Sequence, residues 1–277
     1  MIKINPAEQK LVAQYIQEIT GIFLDQSKAY LFETRLSSIA EANNCKSYQE
    51  LQVKAKKDPS KAIEKSIIDA ITTNETLFFR DKGPFELLQH KILPELIDRR
   101  SPKSALKTHI KIWSAAASTG QELYSIAIVI KELLRDNPDY AFTLLGTDIS
   151  DAAIAQASYG KYNRFEIERG LDKKYLQKFF TLFGDSWKIK DEIRAMVNFR
   201  KFNLMHPFTA LGKFDIIFCR NVAIYFTLDD RKKLFNKLAD NLVDDGYLII
   251  GSTESLSGVC PRFIPKRHLR SIFYQKQ

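Results

Sequence analysis

The hydrophobic pattern divides the chain into two textures. Over residues 7–20, Leu11, Val12, Tyr15, Ile16 and Ile19 recur at steps of three and four, which places them on one face of a helix. Behind Asp25, the positions Leu31, Phe32, Leu36, Ile39 and Ala40 repeat that spacing and predict a second amphipathic helix. A third runs from Ser47 to Lys56. A fourth, from Ser60, carries Ala62, Ile63, Ile67, Ile68 and Ile71. Strand-like alternation is missing from this stretch, so residues 1–85 are expected to form a small all-α domain.

A helix and a polar, basic linker follow over 86–108, with the stretch from Arg99 to Lys111 read as a loop. The texture then becomes strand–helix alternation. His109 to Trp113 is β-rich, a turn of small residues follows, and Leu123 to Leu134 is an apolar helix. Tyr140 to Gly146 reads as a strand and Ala152 to Ala157 as a helix. Phe214 to Cys219 is a nearly continuous apolar strand of the kind a parallel sheet buries on both faces. Asp229 to Leu242 reads as a helix and Tyr247 to Ile250 as another buried strand. This alternation predicts an α/β fold, a doubly wound Rossmann-like sheet over 109–277. A small β-hairpin insertion is expected around 179–197, turning at Gly184-Asp185.

Composition narrows the function classes. With 45% hydrophobic and 12% aromatic residues the chain can bury a core, which excludes disorder. Its longest apolar run, within Ser125–Ile130, is far short of the roughly 20 residues of a membrane-spanning helix. The N-terminal residues show no charged region leading into an apolar core, so no signal peptide is expected. Cys45, Cys219 and Cys260 lack CxxC spacing, which fits a reduced, cytoplasmic protein and argues against a disulfide scaffold or zinc site. His90, His109, His206 and His268 show no ligand spacing, so no metal is expected. The net charge of +9 raises the question of an acidic partner. Residues 1–83 hold 12 basic and 11 acidic side chains, so the surplus lies downstream.

Ligands of doubly wound sheets bind beyond the carboxyl ends of the strands. The first such end, Ser114-Ala-Ala-Ala-Ser-Thr-Gly-Gln-Glu-Leu-Tyr-Ser125, has small residues that permit close backbone approach to a ligand or simply tight helix–sheet packing. It is neither GxGxxG nor a P-loop. Glu122 lies where the helix starts, as a ligand contact or a complement to the helix dipole. Asp148, after the second strand, is placed to accept hydrogen bonds from ribose hydroxyls or to cap the next helix. At the third end, Arg220 and Asn221 follow a buried strand directly, with Tyr225 close behind. Ahead of the sheet, Thr-Thr-Asn-Glu-Thr-Leu-Phe-Phe-Arg80 groups polar side chains beside two phenylalanines, where Asn74 can be a ligand contact or a turn residue.

Together these segments resemble the CheR family of chemotaxis receptor methyltransferases. The resemblance rests on Thr-Thr-Asn-Glu-Thr-x-Phe-Phe-Arg, Ile-Trp-Ser-Ala-Ala-x-Ser-Thr-Gly-x-Glu, Thr-Asp-Ile and Phe-Asp-x-Ile-Phe-Cys-Arg-Asn-Val-x-Ile-Tyr-Phe, in that order, and it covers nearly the whole chain. It implies transfer of a methyl group from S-adenosylmethionine to glutamate side chains on the cytoplasmic domain of chemoreceptors, with S-adenosylhomocysteine as product and no metal. Cofactor contacts are implied for Asn74, Thr76, Arg80, Glu122 and Asp148. Asn203 and Leu204 would flank the adenine, and Arg220 and Asn221 would lie near the methionine portion. Arg80 and Tyr225 would stand nearest the transferred methyl.

The resemblance also places receptor recognition on the helical domain, where Lys28 and Arg35, seven residues apart, share a helix face. Ser38 and Glu41 stand where relatives often carry further basic residues. Ser-Thr-Gly-Gln-Glu-Leu replaces the usual Gly-Glu-Glu-Pro, with Glu122 retained. The hairpin over 180–190 is shorter than in relatives that dock a receptor's C-terminal peptide, which implies no such tether. A base-directed nucleic-acid methyltransferase would place Asn/Asp-Pro-Pro-aromatic after the fourth strand, and Arg220-Asn-Val-Ala has no proline. No basic helix with interleaved aromatics suggests a nucleic-acid footprint. Arg99, Arg100, Lys103, Lys107, Arg262, Lys266, Arg267 and Arg270 are instead expected to give a diffuse attraction to an acidic protein. A non-catalytic descendant of the fold is the remaining rival, and the retained Arg80, Asn221 and Tyr225 argue against it.

Overall fold

The computed structural model describes residues 2–100, 107–135, 137 and 139–277. The helical domain consists of α1 (Pro6–Thr20), α2 (Ala29–Ala42), α3 (Tyr48–Lys57) and α4 (Ala62–Ile71). Asn5 caps α1 by accepting from Glu8 N, and Ser47 caps α3 by accepting from Glu50 N. The second helix starts after a 3₁₀ turn at Gln26–Lys28, because the Asp25 side chain accepts from Ser27 N and closes that turn first. Val12, Ile16, Phe32, Leu36, Tyr48 and Ile67 are among the buried residues that hold the four helices together.

Helix α5 (Gly83–Leu87) runs through a π turn at Leu88–Ile92 into α6 (Leu93–Arg99). Pro94 has no N–H to continue an α-helical ladder, and Leu93 N donates five residues back to Leu88 O. The linker expected between Arg99 and Lys111 falls largely on residues 101–106, outside the described residues.

In chain order, the second domain then contains β1 (Thr108–Ala115), α7 (Gln121–Leu134), β2 (Tyr140–Asp148), α8 (Asp151–Tyr159), β3 (Lys161–Tyr162), α9 (Arg164–Glu168), α10 (Lys173–Phe179), β4 (Phe180–Phe183), β5 (Ser186–Ile189), α11 (Asp191–Arg194), β6 (Val197–Lys201), β7 (Phe214–Cys219), α12 (Leu228–Asp240), β8 (Leu242–Ile250), β9 (Phe263–His268) and β10 (Ser271–Lys276). The main sheet has the order β6-β2-β1-β7-β8-β10-β9. Its first four pairings are parallel and the last two antiparallel. Neighbouring side chains on each central strand enter opposite cores. Ile112, Ile216 and Ile249 join one cluster, whereas Trp113, Ile217 and Leu248 join the other.

Three features depart from the sequence expectations. Helix α12 ends at Asp240, and Leu242 already belongs to β8. The Asn241 side chain donates to Phe208 O and Gly212 O, which stops the helix and hides the strand start behind Asp244-Asp245-Gly246, where the β7–β8 register shifts. The expected hairpin exists as β4 and β5, but β3 joins it in a three-stranded sheet of order β3-β5-β4, so the insertion begins near Lys161 rather than 179. Tyr162 anchors it: the ring is wholly buried against Phe78 and its hydroxyl donates to Thr119 O. The β9–β10 hairpin was not anticipated.

Gly170, between α9 and α10, touches the strand-free segment ahead of α5. A Cβ at Gly170 would lie 2.1 Å from Phe78 O, a backbone atom that cannot rotate away. Gly170→Ala should therefore cost about 1–3 kcal/mol through overpacking, read as a lower urea midpoint with an unchanged slope.

Candidate functional site

A cleft of about 910 Å³, counting its mouth, opens beyond the carboxyl ends of β1, β2 and β7. Its cover is the segment 72–80, which crosses from α4 to α5 without regular structure in its first part. Within that segment the polar and aromatic residues separate. Asn74, Thr76 and Arg80 line the cleft, while Phe78 is wholly buried against Tyr162 and Phe180 and Phe79 stacks on Tyr175. The two phenylalanines thus belong to the core, while the polar side chains of the motif face the cleft.

The turn after β1 brings main chain to the cleft floor. Ala116 and Ser118 adopt φ of +63° and +51°, left-handed conformations that small side chains tolerate best. Ser118 N donates to Asp148 Oδ2 at 2.8 Å, and Ser150 N donates to Asp148 Oδ1 at 3.0 Å. Ser150, not Asp148, caps α8 by accepting from Ala153 N. Burial pushes the Asp148 carboxyl above the usual carboxylate range, and the main-chain N–H groups of Ser150, Ser118 and Ile149 partly oppose that.

Arg220 lies across the back wall with a side chain only 2% exposed. Its Nη1 donates to Glu122 Oε2 at 2.9 Å; its Nη2 donates to Asp81 Oδ2 at 2.7 Å and to Arg80 O at 2.9 Å. Phe85 sits beneath the guanidinium at 5.8 Å. Glu122 also accepts from Ser114 Oγ at 2.8 Å, so this acid is an ion-pair partner and not just a complement to the dipole of α7. Arg220 Nε is buried without a hydrogen-bond partner among the described residues. The cleft itself is lined by the carboxylates of Glu122 and Asp148 and the guanidiniums of Arg80 and Arg220, while Asp81, outside it, completes the neutralisation of Arg220.

Asn203 serves two domains. Its Nδ2 donates to Ile19 O at the end of α1 and its Oδ1 accepts from Met205 N, both at 2.9 Å. The side chain is thereby committed, and what residues 202–204 present to the cleft is fixed from the helical domain. Thr20 and Ile22 line the same cleft, and Phe23 N donates to Tyr225 O at 2.8 Å. These helical-domain contributions were missed in the sequence; the Gly21 stop after α1 was the visible signal of a chain turning toward something.

Asn74, Thr76, Arg80, Glu122, Asp148, Asn203, Leu204, Arg220, Asn221 and Tyr225 all line this one cleft. Lys28 and Arg35 do not. Arg35 Nη1 donates to Ile71 O at 2.8 Å, and both terminal nitrogens lie 3.3 Å from Thr73 Oγ1, so this guanidinium is turned onto the start of the cover segment. Lys28 closes the turn before α2.

Burial, with Glu254 and Glu122 nearby, pushes the Cys219 thiol well upward and so disfavours its thiolate. Among the described residues no group of three or more His, Cys, Asp or Glu stands ready for a metal, and no helix is long and apolar enough to cross a membrane. The basic surplus is partly spent in pairs. Arg99 and Arg100 both meet Asp245, Arg100 also meets Asp215, and Arg262 meets Asp240. Lys103 lies outside the described residues.

Residues 74–268 match the family model described as "CheR methyltransferase, SAM binding domain", and residues 7–72 match "CheR methyltransferase, all-alpha domain". Among characterised proteins, the chain is 38% identical over 265 residues to chemotaxis protein methyltransferase Cher2 of Pseudomonas putida, covering 94% of each. It is also 38% identical over 277 residues to chemotaxis protein methyltransferase 1 of Vibrio cholerae, covering 99% of this chain and 98% of the relative. A chemotaxis protein methyltransferase of Borreliella burgdorferi is 36% identical over 262 residues, covering 93% of this chain and 91% of the relative.

Proposed function

The chain belongs to the CheR methyltransferase family, and from that premise we propose that it esterifies glutamate side chains on the cytoplasmic domain of chemoreceptors, in the cytoplasm. What carries the reading is the meeting of Arg80, Glu122, Asp148, Arg220, Asn221 and Tyr225 around one cleft beside an S-adenosylmethionine-binding fold. S-adenosylmethionine, when bound, supplies a methyl made electrophilic by the sulfonium and leaves as S-adenosylhomocysteine.

The residues are suited to hold that group. Asp148 faces the cleft as an acceptor for ribose hydroxyls, the segment 202–204 forms the adenine wall, and Arg220 with Asn221 takes the methionine end. Arg220 is neutralised by Glu122 and Asp81, so it walls the methionine end without adding net positive charge to the site.

The chemistry asks for little acid–base work. A glutamate with an ordinary pKa near 4.3 is ionised at neutral pH, so the nucleophile needs no general base. Arg80 spends Nη1 on Glu75 O at 2.8 Å and keeps its other N–H groups to orient an incoming carboxylate. Tyr225, fixed through its carbonyl by Phe23 N, limits where that carboxylate can stand.

The test is transfer of tritiated methyl from S-adenosylmethionine to receptor-containing membranes and, separately, to RNA. Base-labile label on the receptor that is released as methanol is the expected result. Label on RNA, or none on either, overturns the proposal. The remaining unpaired basic residues should act on encounter, so kcat/KM for the receptor should fall as ionic strength rises while kcat stays constant. A tether through a receptor's C-terminal peptide is not part of this proposal, and calorimetric titration with such a peptide should show no micromolar binding.

A further inference from the structure

The turn that carries Arg220, Asn221 and Tyr225 leaves β7 with Asn221 at φ +57°, in the left-handed region. Asparagine tolerates that conformation better than most residues, but something must select it. The neighbour that does so is distant in sequence. Glu254 Oε2 accepts from Asn221 N and from Gly251 N, both at 2.8 Å. Glu254 N donates back to Gly251 O at 3.0 Å, which closes its own turn just past β8.

Gly251 completes the arrangement by having no side chain. A Cβ there would lie 2.6 Å from Glu254 Oε2 and 2.8 Å from Asn221 Nδ2. The two side chains thus meet over bare backbone. The second carboxylate oxygen, Oε1, is buried and has no hydrogen-bond partner among the described residues. Such a carboxylate is held inward by the two main-chain bonds on Oε2, which are charge-assisted and stronger than neutral ones.

From this geometry we infer that Glu254 is a positioning residue for the cofactor: it ties the ends of β7 and β8 together and sets the Asn221 turn at the methionine side of the cleft. Glu254 does not line the cleft, so it acts through Asn221. The inference rests on the assignment of Asn221 to the cofactor.

Two properties follow. The bonds depend on reach: shortening the side chain by one methylene should break them although the charge remains. They depend less on charge, since a glutamine carbonyl can accept from the same two N–H groups.

The experiment is calorimetric titration of the full-length protein with S-adenosylhomocysteine for Glu254→Ala, Glu254→Asp, Glu254→Gln and Asn221→Ala. Kd should rise about tenfold to a hundredfold for Glu254→Ala and Glu254→Asp, the size expected for losing the two main-chain hydrogen bonds that Glu254 accepts. Glu254→Gln should stay within about fivefold of wild type. In steady-state methylation the KM for S-adenosylmethionine should rise with Kd, while kcat at saturating cofactor changes by less than about threefold, a split that general loosening of the fold would not produce. Binding within twofold of wild type for both Glu254→Ala and Glu254→Asp overturns the inference, as does a Glu254→Gln variant as weak as Glu254→Ala. If Glu254→Ala fails to fold, binding by Glu254→Asp decides alone: a rise of tenfold or more supports the inference and binding within twofold overturns it. Asn221→Ala separates the two levels. Unchanged binding there overturns the Asn221 assignment, whereas weakened binding there beside intact binding in the Glu254 variants overturns the positioning role alone.

Discussion

Arg220→Ala is expected to remove measurable S-adenosylhomocysteine binding and to destabilise the fold at the same time. The guanidinium holds three elements in one place: Glu122 at the start of α7, Asp81 and the Arg80 carbonyl ahead of α5, and the end of β7. Deleting it leaves Glu122, whose side chain is 13% exposed, without its cation. Removing one partner of a buried ion pair costs about 3–5 kcal/mol, because the other charge stays desolvated. Only part of that cost falls on Asp81, which is about one-third exposed and can rehydrate. The cleft loses the side chain that holds Glu122, Asp81 and the Arg80 carbonyl at its back wall, so a loss of at least a hundredfold in cofactor affinity should accompany the lower unfolding midpoint. Arg220→Lys gives the sharper comparison. It restores a positive charge for Glu122 but cannot reach Glu122, Asp81 and the Arg80 carbonyl at once. Stability should recover more than binding does. Equal recovery of both would mean that Arg220 acts as a charge and not as a template.

The parts of the molecule differ in how far their sequence discloses them. The four helices of the first domain were legible because each buries one stripe, and the stripe repeats at the helical period. The central strands were legible because burial on both faces gives a nearly continuous apolar run, as in Phe214–Cys219, which only Asp215 interrupts. Strands at the sheet's margin were not. β9 buries only Phe263 and leaves residues 264–267 exposed, so no period of two shows, and the start of β8 is disguised by a bulge that sends Asp244 and Asp245 out to Lys276, Arg99 and Arg100. At the site, residues standing directly after an apolar strand or beside a distinctive motif were found, because polar bulk at a strand end is conspicuous. Residues that act by holding others were not. Glu254 sits in a polar turn 33 positions from Asn221, and Asn203, although marked by the resemblance, gives no sign in the sequence of its reach across 184 positions to Ile19. Arg35 was assigned by its spacing from Lys28, yet its donors turn inward to residues 71–73. Spacing tells which face of a helix a residue occupies; it does not tell what that face meets.

Arg80→Ala should lower kcat for receptor methylation about a hundredfold to a thousandfold, with a smaller loss, near tenfold, in S-adenosylhomocysteine affinity. The asymmetry follows from where Arg80 spends its bonds. Its carbonyl belongs to the Arg220 network and survives the substitution, whereas its guanidinium donates to Glu75 O among the described residues and lines the cleft. What is lost is chiefly the donor set that orients the attacking carboxylate, and removing one well-placed donor to a reacting oxygen typically costs two to three powers of ten. Tyr225→Phe should be milder, about tenfold in kcat, because the ring and the Phe23 N–Tyr225 O bond remain and only the hydroxyl goes. Neither change should alter the unfolding free energy by more than about 1 kcal/mol, since both side chains are partly exposed. The pair also tests the absence of a general base. If ionised glutamate is the nucleophile, kcat in both variants should keep the wild-type pH dependence between pH 6 and 9 and differ only in height. A new rate-limiting ionisation in Tyr225→Phe would make the phenol a proton-transfer group, and wild-type methyl incorporation in both variants would remove Arg80 and Tyr225 from the reacting centre.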